Sequence, residues 1–250
     1  MIRKFLSRIY RLLRSYMEKI LDKKNDKKRK KFSNKIENFN SIELDTSNYI
    51  SELCLLGEKY GTDKSVFNKN TKHQHSYTTI YNILFGSYKN KTINVAEFGV
   101  AHSSSLKMFR DFFKEANLFI FDHDDKALEK AKNLKLEKVD FFKLDVKNKN
   151  EIKYLFEKNG IDYDIIIDDS SHLFAHQINI ILETKKFLKK DGFLIIEDIY
   201  INEKNYSENK YYEALKHLKS EFSDIFFCKC NHKYNYSGFW NNSKLLIFRK

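Results

Sequence analysis

Between residues 93 and 198 the sequence repeats one pattern: a short β-branched and aromatic run, an acid at its end, then an amphipathic helical stretch. INVAEFG (93–99), NLFIFD (117–122), VDFFKLD (139–145), YDIIIDD (163–169) and GFLIIED (192–198) read as strands. SSSLKMFRDFFKEA, DDKALEKAKNL, NKNEIKYLFEKNG and HQINIILETKKFLKK read as the helices between them, and SENKYYEALKHLKSEF as a helix after the fifth strand. Strands alternating with helices over short links fold into a parallel, doubly wound α/β sheet. DIFFCKC (224–230) and SKLLIFRK (243–250) have no helix between them and predict an antiparallel C-terminal hairpin at one edge. The expected fold class is α/β, a seven-stranded, mostly parallel sheet with N-terminal helices in front of it.

Three stretches follow from this. Residues 91–250 carry the alternating pattern and form the main domain. Residues 37–90 are helical in pattern but interrupted by GEKYGTDKS and HQHSY, which predicts a helical cap or lid. In residues 1–36 the apolar positions Ile2, Phe5, Leu6, Ile9, Leu12, Leu13, Tyr16, Met17, Ile20 and Leu21 keep three-and-four spacing opposite Arg and Lys, and KKNDKKRKK follows. Such a helix lies on an anionic membrane surface or docks on this protein or a partner.

Net charge locates a partner class. The chain carries +12, but residues 1–36 hold 14 Lys and Arg against 3 acids, leaving 32 against 31 in the rest. A nearly neutral body argues against nucleic acid, which requires a basic groove on the folded domain. Cys54, Cys228 and Cys230 form no disulfide or zinc framework, so reduced thiols and a cytoplasmic protein are expected, peripheral to the inner membrane face if the tail lies on lipid. No apolar run reaches about 18 residues, so no transmembrane helix is expected, and no secretory signal is evident. Self-association into a homo-oligomer is left open.

The strand ends carry the chemistry, because ligands of open α/β sheets sit at the carboxyl ends of the strands. Glu97 to Ser105 (EFGVAHSSS) is a small-residue turn opening a helix, where backbone N–H groups can approach a ligand. With Gly99 its only glycine, it matches a dinucleotide glycine motif weakly. Asp122 ends the second strand, where an acid can grip ribose hydroxyls. Asp145 ends the third, Asp168 and Asp169 the fourth with His172 close behind, and Glu197 and Asp198 the fifth. One such acid is a cap or a solvated turn, but acids at five successive strand ends point to a site. His123 and His176 read as turn and helix residues. The loop NHKYNYSGFWNN (231–242) suits a sugar-binding surface or an ordinary hairpin.

With its terminal hairpin, Glu97-x-Gly99 turn, Asp122 and Asp145, the chain from about residue 50 to 250 resembles the class I S-adenosylmethionine-dependent methyltransferases, whose sheet is Rossmann-like. KYGTDKS (59–65), HSYTTIY (75–81), EFGVAHSSSLKMF (97–109), DDSSH (168–172) and IIED (195–198) further resemble the magnesium-dependent sugar O-methyltransferases of that class. The resemblance implies S-adenosylmethionine as donor, S-adenosylhomocysteine as product, Mg²⁺, and a sugar or sugar-containing small molecule as acceptor. It implies Asp122 at the ribose and Asp145 near the adenine amine. Thr62, Lys64, Tyr77, Glu97, Gly99, Ser104, Ser105, Val146 and Asp168 complete the implied cofactor contacts, with His75 beside Tyr77. It implies Asp169, Glu197 and Asp198 as metal ligands and His172 as catalytic base beside Asp169. Ser103-Ser104 stand where the family's pattern has two glycines. A surface-glycan, capsule or antibiotic sugar is the expected acceptor. The alternatives are a non-sugar small molecule on the same fold, or a non-catalytic membrane-associated binding protein.

Overall fold

One eight-stranded sheet organises the molecule: β1 (Asn40–Asp45), β2 (Asn94–Phe98), β3 (Asn117–Asp122), β4 (Val139–Lys143), β5 (Tyr163–Asp168), β6 (Leu188–Ile196), β7 (Asp224–Asn231) and β8 (Lys244–Arg249). In this computed structural model, which describes residues 37–68, 73–238 and 241–250, the spatial order is β1-β7-β8-β6-β5-β2-β3-β4. Neighbours pair parallel except around β8, which runs antiparallel to both β6 and β7. The carboxyl ends of seven strands and the start of β8 therefore share one edge.

The helices are α1 (Glu52–Tyr60), α2 (Tyr77–Phe85), α3 (Ser104–Phe112), α4 (Asp125–Lys132), α5 (Lys149–Asn159), α6 (Phe174–Thr184) and α7 (Glu208–Leu215). They cover both faces, as a parallel sheet requires. In β5, Ile165 and Ile167 enter the core under α1 to α4, and Ile166 enters the core under α5 to α7. All three are fully buried, which is why that run shows no polar alternation.

Three expectations change. An eighth strand, β1, pairs in parallel with β7, so the C-terminal hairpin lies inside the sheet and β1 takes the edge. Residues 37–90 are no separate lid: Phe39–Lys250 form one compact unit, and Leu53, Tyr77, Tyr81 and Phe85 lie in the core. The stretch expected as a helix through Lys190 stops at Thr184, passes a short 3₁₀ turn, and enters β6 at Leu188. The basic segment 1–36 lies outside the described residues. No helix of the described residues is long and apolar enough to cross a membrane. All three cysteines are free and buried.

Candidate active site

The site is built on two turns that touch. Gly99 follows β2 with φ +92°, and a Cβ there would stand 2.1 Å from the Asp169 carbonyl oxygen. Only glycine lets the turn after β2 lie against the turn after β5. Asp169 N–H in turn donates to the Phe98 carbonyl at 2.9 Å. Ala101, Ser103, His172 and Asp198 also adopt left-handed backbone. Of the eight non-glycine residues with positive φ among the described residues, these four lie in the turns after β2, β5 and β6, the kind of strained backbone that is found at functional sites.

Two clefts meet at these turns. One, of about 470 Å³, is lined by Asp122, His123, Ala127, Asp145, Val146, Ser170 and His176. The other, of about 420 Å³, is lined by Gly61, Thr62, Asp63, His102, Ser104 and Ser105. Gly99, Ala101 and Asp169 line both. Asp122 is fixed by N–H donors from Val100 (2.8 Å) and Asp124 (2.9 Å). The α3 N-terminus has no side-chain cap, so its first N–H groups are free to take an anion. Glu97 is buried, and burial outweighs the nearby Lys64 ammonium and Ser105 hydroxyl and pushes its carboxyl up to about 7.

Beside the clefts is a carboxylate centre at the ends of β5 and β6. Asp169, His172 and Asp198 each bring a ligand atom within 4.8 Å of the others. His172 Nε2 and His75 Nε2 both lie 3.7 Å from the Asp198 carboxylate, one at each oxygen. The Tyr77 hydroxyl, with one proton for two acceptors, is 2.7 Å from Asp198 Oδ1 and 2.8 Å from the Asn242 carbonyl. Burial alone would raise Asp198, but the facing His75 and His172 hold its carboxyl below the usual range. Glu197 Oε1 accepts from Tyr81 at 2.5 Å, and its Oε2 accepts from Lys64 Nζ at 2.6 Å. The buried Lys64 ammonium also bonds Asp169. Burial opposes its charge, yet Asp169, Glu197, Asp63 and Glu97 together hold it well above the usual lysine value. Asp168 is buried with one oxygen taken by Ser170, and burial pushes its carboxyl up to about 6.

These positions sort the expected residues. Thr62, Gly99, Ser104, Ser105, Asp122, Asp145 and Val146 line the clefts. Glu97 lines neither. Tyr77 and His75 are buried against Asp198, and the Lys64 ammonium bonds Glu197 and Asp169. Glu197 accepts from Tyr81 and Lys64, and the three residues whose ligand atoms converge are Asp169, His172 and Asp198. Tyr81 was not anticipated. Its signal was a second tyrosine four residues after Tyr77, on the same face of an apolar helix. A third cavity, of about 440 Å³, lies at the same sheet edge beyond β6, lined by Asp45, Ile201, Lys229, His232, Asn235, Tyr236, Asn241 and Ser243. Ser243 Oγ is 2.9 Å from His75 Nδ1, which joins this cavity to Asp198.

The same fold occurs in solved proteins. The MycE methyltransferase from the mycinamycin biosynthetic pathway, in complex with Mg and SAH, superposes with a TM-score of 0.60 at 19% identity over 79% of this chain and 54% of that one. The fold is that of a Rossmann-like methyltransferase. A second MycE structure, which also holds mycinamycin VI, gives a TM-score of 0.59 over 80% of this chain and 54% of that one, again at 19% identity. In sequence, a rhamnosyl-tetracenomycin-C 3′-O-methyltransferase of Streptomyces olivaceus is 25% identical over 133 residues, 50% of this chain and 33% of its own. The mycinamicin VI 2″-O-methyltransferase of Micromonospora griseorubida is 26% identical over 158 residues, 60% of this chain and 36% of its own. The match thus spans about a third of these curated relatives' length. No family model matches the chain.

Proposed function

We propose that this chain is an S-adenosylmethionine-dependent O-methyltransferase acting on a sugar hydroxyl, with His172 as general base and Mg²⁺ at the carboxylate centre. The observation that carries the reading is the sharing of Asp169 between a donor-shaped double cleft and the His172–Asp198 group. The clefts suit a zwitterionic nucleoside: the buried Glu97 offers charge to an ammonium, the uncapped α3 N-terminus faces a carboxylate, and Asp122 serves ribose hydroxyls. Asp169 and Asp198 fit a hard divalent cation, being carboxylates whose ligand atoms lie within 4.8 Å of each other. When bound, that ion supplies positive charge that makes a neighbouring sugar hydroxyl easier to deprotonate. The donor supplies its sulfonium methyl to the acceptor oxygen and departs as S-adenosylhomocysteine.

The chain's own residues do the rest. His172 accepts the hydroxyl proton, and Asp198, 3.7 Å away, stabilises the imidazolium that forms. Tyr77 and His75 fix Asp198 for that role. The two turns locked at Gly99 hold donor and base in register, which accounts for much of the acceleration by positioning. The acceptor would enter from the third cavity, whose amide, hydroxyl and imidazole lining matches sugar hydroxyls. The name of the rhamnosyl-tetracenomycin-C relative supports a sugar acceptor. A surface-glycan or capsule sugar handled at the inner membrane face is the finer reading, supported by the 14 basic residues in 1–36.

Labelled S-adenosylmethionine offered with free, nucleotide-linked and lipid-linked sugars tests this. Label should enter a sugar, stop with EDTA and resume with Mg²⁺. Transfer to phenolic or peptide acceptors alone would move the chain to a non-sugar substrate, and full activity in EDTA would remove the metal.

A further inference from the structure

Sheets that end in water usually defend the edge with lysine, proline, a bulge or a covering loop. Among the described residues β1 has none of these. Its six residues, NSIELD, are all exposed, pair with β7 alone, and keep an unbroken register from Asn40 to Asp45. The Thr46 N–H donates to the Asn231 carbonyl of β7 at 2.9 Å. Alternation along the strand therefore turns the backbone groups of Asn40, Ile42 and Leu44 toward β7, and those of Ser41, Glu43 and Asp45 outward. Side chains alternate as well. Ile42 and Leu44, 40% and 36% exposed, share a face with their register partners Cys228 and Cys230, which lie in the core. Ser41, Glu43 and Asp45 share the other face, where both acids are already engaged. Glu43 accepts from Lys229 at 2.9 Å and from Asn231, and Asp45 accepts from the Ser47 N–H at 2.9 Å.

We propose that this edge pairs antiparallel with the same edge of a second copy of the chain, about a twofold axis through Ile42. Outward backbone groups must meet outward backbone groups, and this register brings them together: Ser41 of each copy exchanges both hydrogen bonds with Glu43 of the other. On the apolar face Ile42 meets Ile42 and Leu44 meets Asn40, and nowhere does an acid stand opposite an acid. Moving the axis to Glu43 sets that acid against itself, and moving it to Ser41 carries Leu44 past the start of the facing strand. The contact is isologous, so one short strand supplies both halves and joins two eight-stranded sheets into a single sheet.

A strand this short gives far less than the roughly 20–30 residues a side of a standard interface, so the dimer should form reversibly over the micromolar range. Sedimentation velocity of the full chain should show its mass rise with concentration from one chain toward two. Ile42→Cys puts two thiols on the axis, at a non-hydrogen-bonded pair whose Cα atoms lie about 4.5 Å apart, within disulfide reach. The native cysteines are buried, so mild oxidation should cross-link this variant and leave Ile50→Cys, exposed outside the strand, largely monomeric. Ile42→Lys and Ile42→Glu should each weaken association by about tenfold or more, because like charges then face each other, and an equimolar mixture of the two should associate again. Ser41→Pro removes an outward N–H, spares the ladder to β7, and should weaken association with little change in melting temperature. A native chain that stays monomeric, or no cross-link at Ile42→Cys, would mean that water or residues 1–36 occupy the edge and would overturn the proposal. A dimer unchanged by Ile42→Lys would place the contact elsewhere and overturn it equally.

Discussion

Glu97 stores its ionisation cost in the fold. Burial holds its carboxyl at about 7, above its value in an unfolded chain. Between roughly pH 4.5 and 7 the folded chain keeps a proton that the unfolded chain has lost. Unfolding free energy therefore falls as pH rises through that window, by on the order of 3 kcal/mol for this group. Asp168, raised to about 6 by burial, acts with the same sign. Glu97→Gln should flatten the decline and raise the melting temperature above pH 7, as thermal melts across pH would show. Because a donor ammonium requires the ionised carboxylate, S-adenosylhomocysteine affinity should climb from pH 6 to 8 in the native chain and stay flat and weak in Glu97→Gln. His172→Ala should lower kcat by roughly 10²–10⁴ with donor affinity unchanged, and exposed His217→Ala is the matched control. Asp169, His172 and Asp198 were legible as candidates because acids and a histidine at the lip of buried strands have no apolar reason to be there. The place of Lys64 was not legible: the resemblance set it among cofactor contacts, and only the fold brings Asp169, Glu197 and Glu97 from other elements around it beside its neighbour Asp63.

At the scale of elements, the contact between the β2 and β5 turns is the tightest constraint. Gly99→Ala would put a methyl into the Asp169 carbonyl at a left-handed position. It should cost roughly 3 kcal/mol or more and abolish donor binding. Gly86→Ala has right-handed backbone and no atom within 4 Å of its added Cβ, and should be neutral or slightly stabilising. Chemical denaturation of both variants checks the contrast. Strands β2 to β8 showed in the sequence through their apolar and β-branched runs, most clearly in β5 and β8, where burial on both faces leaves little polar alternation. β1 did not, because all six residues of NSIELD are exposed. Its pairing is carried by backbone hydrogen bonds to β7, which leave no side-chain signature. The carboxylate centre was half visible for a related reason: strand ends are local, but the helix α2 that delivers Tyr77 and Tyr81 to them is placed only by packing.

At the scale of the whole molecule, charge separates a nearly neutral body from a basic segment. Removing residues 1–36 should leave methyl transfer to a soluble sugar intact while abolishing binding to anionic vesicles. That binding should weaken with salt as the Debye length shrinks below roughly 8 Å. Vesicle co-sedimentation at two ionic strengths checks this, and equal binding by both chains would remove the tail as an anchor. On the proposed reading the sheet edge divides the work: donor over β2 to β5, base and cation between β5 and β6, acceptor beyond β6. All of it depends on the donor clefts being what their lining suggests. Calorimetric titration of the full chain with S-adenosylhomocysteine tests that most directly. Saturable one-to-one binding, lost in Gly99→Ala and weakened by acid below pH 7, is the predicted result. No heat and no thermal stabilisation at millimolar S-adenosylhomocysteine or S-adenosylmethionine, with the chain folded, would contradict it.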